Sequence, residues 1–181
     1  MKTASLLLLA WLTLTNQAGR DLYACKNVEV SIYSKAPVED IAALTRTGTS
    51  VYNATTGDLV FSINIRSLHF EKERMQEHFN ENYMESYKYP AAVFRGKLSP
   101  VPDLSKDGVY NVTASGDLEV HGVKQHRSIP GIVTVKAGEV SMTSEFAVKC
   151  ADHRIDIPKL VFYNIAESIQ VHVNAQYQSS K

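Results

Sequence analysis

Residues 110–120 read Tyr110-Asn111-Val112-Thr113-Ala114-Ser115-Gly116-Asp117-Leu118-Glu119-Val120, an alternation of apolar and polar side chains broken only at the glycine. Successive side chains of a β-strand point to opposite faces, so this stretch reads as one long strand with an apolar side and a wet side. Gly116 falls on the apolar side, where a missing side chain suits a bend in a strand that curves around a barrel.

The same period of two recurs in both directions. Val28, Val30 and Ile32 alternate with Asn27, Glu29 and Ser31. Leu59, Phe61, Ile63 and Ile65 alternate with Val60, Ser62, Asn64 and Arg66. Near the end, Ile169, Val171, Val173, Ala175 and Tyr177 alternate with Gln170, His172, Asn174 and Gln176. Thr56-Gly57-Asp58, Lys106-Asp107-Gly108, His121-Gly122-Val123 and Ala137-Gly138-Glu139 are short links with glycine where a hairpin needs positive φ. The pattern predicts eight strands over 26–34, 43–53, 58–69, 91–99, 108–121, 124–136, 139–150 and 166–178. Long strands with short links give an all-β, antiparallel up-and-down meander, and closure into an eight-stranded barrel satisfies its edges. At that strand number the interior is either packed with side chains or just wide enough for one small ligand.

One segment departs from the strand period. From Glu71 to Met84, Met75, Phe79 and Tyr83 recur at helical spacing among charged residues. This predicts a single short helix between strands three and four, laid across one barrel mouth. The inward phases then nominate Phe61, Ile63, Ile65, Phe94, Tyr110, Val112, Phe146, Val148 and Val171 along the interior, with Met75, His78 and Phe79 covering the mouth. His78, at the edge of the stripe, is placed to donate to a polar head group or to cap local carbonyls.

Length and charge narrow the class. The chain has 181 residues, which suits one domain, and 19 basic against 19 acidic residues leave no field to draw it to nucleic acid. Lys2, the apolar run Leu6–Leu12 and Ala18 have the layout of a secretory signal peptide over 1–18, leaving 19–181 as the mature domain. The run is too short to span a bilayer, and no later segment is apolar enough. The expected location is therefore outside the cytoplasm, periplasmic or secreted. Leu22-Tyr23-Ala24-Cys25 is a loose match to a lipoprotein box, but Arg20, Asp21 and the bulk of Tyr23 argue against a lipid anchor. An oxidising compartment permits a Cys25–Cys150 disulfide, although the strand phases put Cys150 inward and Cys25 outward.

Catalytic and metal motifs are missing. Arg74 stands where a helical zinc site beside Glu77-His78 needs histidine, and there is no nucleophile elbow, phosphate loop, dinucleotide fingerprint or Cys-x-x-Cys. No metal or cofactor is expected. His121, His126 and His172 fall in or near polar phases and read as surface histidines. Asp152, His153, Arg154, Asp156 and Lys159 form a charged cluster before the last strand, either a solvated loop or a gate at the other barrel end. Asn53-Ala54-Thr55 and Asn111-Val112-Thr113 fit the glycosylation triplet, which matters only in a eukaryotic secretory pathway.

Several stretches resemble the bacterial YceI-like family. They are Ser31–Pro37, Thr56–Ile63, Met75–Ser86 with Lys88-Tyr89-Pro90 and Phe94-Arg95-Gly96, Gly116–Val123, Ile155–Pro158 and Ala166–Ile169. The likeness covers nearly all of the chain after the signal, and the block from the helix to Phe94 is its most specific part. It implies a lipocalin-like barrel, exported, that holds a polyisoprenoid, quinone or fatty-acid-like amphiphile, with some members pairing as homodimers and none known for catalysis. Cys25 and Cys150 lie outside that likeness. The functional expectation is an exported, non-enzymatic binder of an isoprenoid or lipid. A packed barrel serving as a surface interaction module is the alternative, and an enzyme on a lipid-like substrate would need a buried titratable pair that the inward phases do not offer.

Overall fold

The structure is a computed structural model that describes residues 22–35, 40–157 and 167–179. Its strands are β1 (Leu22–Ser34), β2 (Ile41–Asn53), β3 (Asp58–Asn64), β4 (His69–Phe70), β5 (Ala91–Ser99), β6 (Gly108–Val120), β7 (Val123–Lys136), β8 (Glu139–Lys149) and β9 (Ser168–Ser179). The pairing order is β1-β9-β8-β7-β6-β5-β3-β2, and β1 pairs β2 to close the barrel. Every pairing is antiparallel. Eight long strands therefore form the predicted barrel, with the two-residue β4 added beside β2 at Ala43 and Leu44.

The predicted third strand is shorter than expected. It ends at Asn64, whose side chain accepts from the Arg66 amide at 3.0 Å, and the chain makes a 3-10 turn over Ile65–Ser67. Ser67 Oγ also donates to the Asn64 carbonyl at 2.7 Å, and the Ile65 amide bonds to Pro90 instead of to a strand. Helix α1 covers Glu73–His78 and runs into a single π turn, Phe79–Tyr83, so the helical segment spans most of the predicted 71–84.

Strand direction defines two ends. The helix end carries α1, the β6–β7 turn and the residues after β8. The opposite end carries the β2–β3, β5–β6 and β7–β8 links. That second end is sealed. Tyr52 and Tyr177 meet edge-on with centroids 6.4 Å apart, Ser50 and Tyr177 share a 2.6 Å hydrogen bond, and Val28, Val135 and Val140 fill around them.

Cys25 also lies in this floor, which corrects its outward assignment. A bulge between Cys25 and Val28 inserts one residue, so an odd-numbered Cys25 and an even-numbered Val28 both face inward. Both cysteines are buried and free. Cys150 follows β8 at the helix end, so the barrel's length separates the two thiols.

Candidate functional site

The inward faces do not meet in the middle. They enclose a cavity of about 210 Å3, against the roughly 10–15 Å3 that one water requires. The walls come from β1, β3, β5, β6, β7, β8 and β9, and the lining is almost wholly apolar. At strand number eight this is the hollow variant of the barrel.

Of the predicted interior residues, Phe61, Ile63, Ile65, Phe79, Phe94, Val112, Phe146, Val148 and Val171 all line the cavity. Three do not. Tyr110 sits near the sealed end, where its hydroxyl donates to the Asp103 and Lys106 carbonyls at 3.2 and 3.0 Å. Met75 packs on the small cluster Ala43–Leu68–Phe70 and is not among the lining residues. His78 is exposed on the solvent side of the helix. The π turn shifts the helical phase beyond Phe79, so Met84 joins Phe79 over the cavity where the even helical spacing put Tyr83.

The roof is held by specific contacts. Gln76 accepts from the Phe70 amide at 3.2 Å and donates to the Leu68 carbonyl at 2.9 Å, which ties α1 to the segment around β4. The Phe70 and Phe79 rings lie 4.8 Å apart, fixing Phe79 over the opening. After the π turn, Glu85 reaches the β6–β7 turn. The two ring nitrogens of His121 meet a Glu85 carboxylate oxygen at 2.9 Å and the His153 carbonyl at 3.2 Å, and Tyr89 stacks edge-on against the ring. His121 is therefore a half-buried link between roof and wall, unlike the exposed His126 and His172.

The charged cluster after β8 stands at this same helix end, which corrects its placement at the opposite one, because β8 runs toward the roof. Nor is it simply solvated. His153 is fully enclosed and its Nδ1 donates to the Val123 carbonyl at 3.1 Å. Asp152 offers its carbonyl to Gln125 at 2.9 Å. Lys159 lies outside the described residues.

Several lining residues were not among those nominated, including Leu59, Met84, Leu98, Leu118, Met142 and Cys150. Leu59 and Leu118 share the phase of Phe61 and Val112, so the same alternation carried them. Burial pushes the Cys150 thiol above its usual range. Among the described residues no group of three or more His, Cys, Asp or Glu is arranged to hold a metal ion, and no helix is long and apolar enough to cross a membrane.

A closed antiparallel barrel with a hollow, apolar lumen and one short helix across its mouth defines a lipocalin-like class of fold. Within that class the chain belongs to the YceI-like family, whose model matches residues 29–177. No curated protein matches its sequence. Among solved structures it is similar to a polyisoprenoid binding domain from Saccharophagus degradans implicated in plant cell wall breakdown, with a TM-score of 0.70, 14% identity, and 88% of this chain and 98% of that one covered. It is also similar to Burkholderia cenocepacia BcnA, with a TM-score of 0.70, 13% identity and coverage of 82% and 95%. The Campylobacter jejuni YceI protein aligns with a TM-score of 0.61, 13% identity and coverage of 78% and 86%.

Proposed function

We propose that the protein is an exported binder that takes a long-chain isoprenoid or lipid-like amphiphile into its lumen and sequesters or carries it. The observation that carries this reading is the apolar cavity, lined by Phe61, Phe94, Phe146 and their neighbours and roofed by Phe79 and Met84. Burying an alkyl or isoprenoid tail there is favourable by roughly 25 cal/mol per Å2 of apolar area, less the freedom the tail loses. The cavity offers almost no polar partner beyond Thr143 and Ser144, so it selects for a tail and leaves a head group outside. A lipid-like tail also agrees with the similarity to a polyisoprenoid binding domain. The lining's polar side chains are the Thr143 and Ser144 hydroxyls and the buried Cys150 thiol, with no carboxylate, imidazole or amine among them to act as a base, so the reading is carriage and not catalysis.

Native mass spectrometry of the mature protein, followed by organic extraction, tests it. The expected result is a stoichiometric long-chain lipid, isoprenoid or quinone, or uptake of one when offered. A clean apo mass with no uptake would turn the assignment toward a surface interaction module.

A further inference from the structure

Arg127 is the one charged residue in the inward phase of the described strands. It pairs directly with the buried Gly116, and residues opposite one another on antiparallel strands share a face. A charge in that phase is costly unless something uses it. Its neighbours show what it could use. The ladder between β7 and β8 runs only from Gly131–Ser144 to Lys136–Glu139. Toward the helix end, Val123–Pro130 of β7 and Glu145–Lys149 of β8 are unpaired with one another, while β8 stays paired with β9 as far as Lys149–Ser168. Pro130, which has no N–H to give, marks where the wall parts.

Side chains span this split where backbone does not. Arg127 Nη2 stands 3.5 Å from the Ala147 carbonyl and Nη1 stands 3.7 Å from Asp152 Oδ2. Ala147 lies between Phe146 and Val148, which both line the cavity, so the guanidinium reaches the wall of the lumen from across the split, although Arg127 is not itself among the lining residues. Both contacts are loose, since a charge-assisted N–H···O bond is about 2.7–2.9 Å. A guanidinium carries five N–H donors in a fork that fits a carboxylate or phosphate with two parallel bonds.

We infer that the split between β7 and β8 is a head-group site, where Arg127 takes the carboxylate or phosphate of an anionic amphiphile whose tail fills the lumen, displacing Asp152. This rests on the lumen reading above and adds the charge of the ligand. It differs from a purely structural Arg127, which would only tie β7 to the segment after β8.

Binding of four probes to the mature protein tests it: palmitate, hexadecanol, farnesyl phosphate and farnesol, with inorganic phosphate as a tail-free competitor. Wild type is expected to favour each anionic probe over its neutral partner by about tenfold or more. Arg127→Gln should remove that preference while holding the two alcohols within about twofold, and Arg127→Lys should fall between, because it keeps charge without the fork. Asp152→Asn should tighten the anionic probes, and inorganic phosphate alone should not displace them. Unchanged palmitate and farnesyl phosphate binding in Arg127→Gln overturns the head-group site and leaves the lumen reading standing. Equal loss of all four probes, with an unchanged melting temperature, overturns it too, making Arg127 part of the tail's seat. No uptake of any probe by wild type removes both readings.

Discussion

Gly96 of β5 and Gly116 of β6 face each other so closely that a Cβ on Gly116 would stand 2.4 Å from the Gly96 Cα and 2.2 Å from the Arg95 carbonyl oxygen. Both obstructions are backbone, so no rotamer change relieves them. The barrel wall turns here, and the missing side chains let the two strands approach. Gly116→Ala is therefore expected to cost about 3 kcal/mol, read as a lower urea midpoint. Gly138, at φ +83 with open space around it, supplies the contrast. Gly138→Ala meets only the backbone penalty of about 1 kcal/mol. Equal losses at the two sites would refute the close approach.

Ala114 lines the cavity one step from Gly116 on the same face of β6. Its small side chain leaves room that a larger one would occupy. Ala114→Leu should abolish uptake of a lipid probe while leaving the melting temperature unchanged or raising stability by about 1–2 kcal/mol. Because stability and binding move apart, loss of fold cannot imitate loss of the lumen. Undiminished uptake would place the ligand elsewhere.

Much of this was legible because one face of each strand is apolar. The alternation in 110–120 and 169–177 assigned the inward side, and from it most of the cavity wall, without any knowledge of pairing. Legibility failed where the alternation itself failed. Val123-Lys124-Gln125-His126-Arg127-Ser128 has a single apolar residue, so only its register with β6 reveals that Arg127 points inward. Cys25 was lost for a different reason, since a bulge reverses the phase of everything before it and leaves no signature in Lys26-Asn27. Hollowness itself depends on how far apart the walls stand, which residue types do not encode.

The placement of the two cysteines makes a chemical prediction. Cys25 pairs with Ser50, whose hydroxyl bonds Tyr177, and Tyr177 pairs with Val140 at the start of β8. Cys150 follows the end of β8, so roughly 30 Å of strand separates the thiols, against the about 7 Å limit of Cα separation in a disulfide. Protein purified without reductant should show two free thiols by intact mass. Neither should react quickly with a thiol reagent, since burial raises the Cys150 thiol and disfavours its reactive thiolate. Both should appear on unfolding. A lumen ligand should slow Cys150 further, because that residue lines the cavity.

The sealed floor predicts how stability responds to alkali. Burial pushes the Tyr52 phenol up from 10.0 to about 12, with a smaller push from Tyr23. Burial also raises Tyr177, only partly opposed by its hydrogen bond to Ser50. A phenol whose folded pKa is raised holds its proton more tightly when folded. Its contribution is therefore complete below pH 10 and is lost as pH rises, over about pH 10 to 12 for Tyr52 and beyond that for Tyr177. The rise at Tyr52 from 10.0 to about 12 corresponds to about 2–3 kcal/mol. The Tyr52 hydroxyl is enclosed and has no hydrogen-bond partner, so Tyr52→Phe removes an unsatisfied group and should leave neutral-pH stability equal or higher by about 1 kcal/mol. It should also flatten the alkaline fall. Tyr177→Phe, which orphans Ser50, should instead lose about 1 kcal/mol at neutral pH. Urea melts of the three proteins at pH 8, 10 and 11.5 decide the matter, and a steep alkaline fall that persists unchanged in Tyr52→Phe would remove that residue from the account.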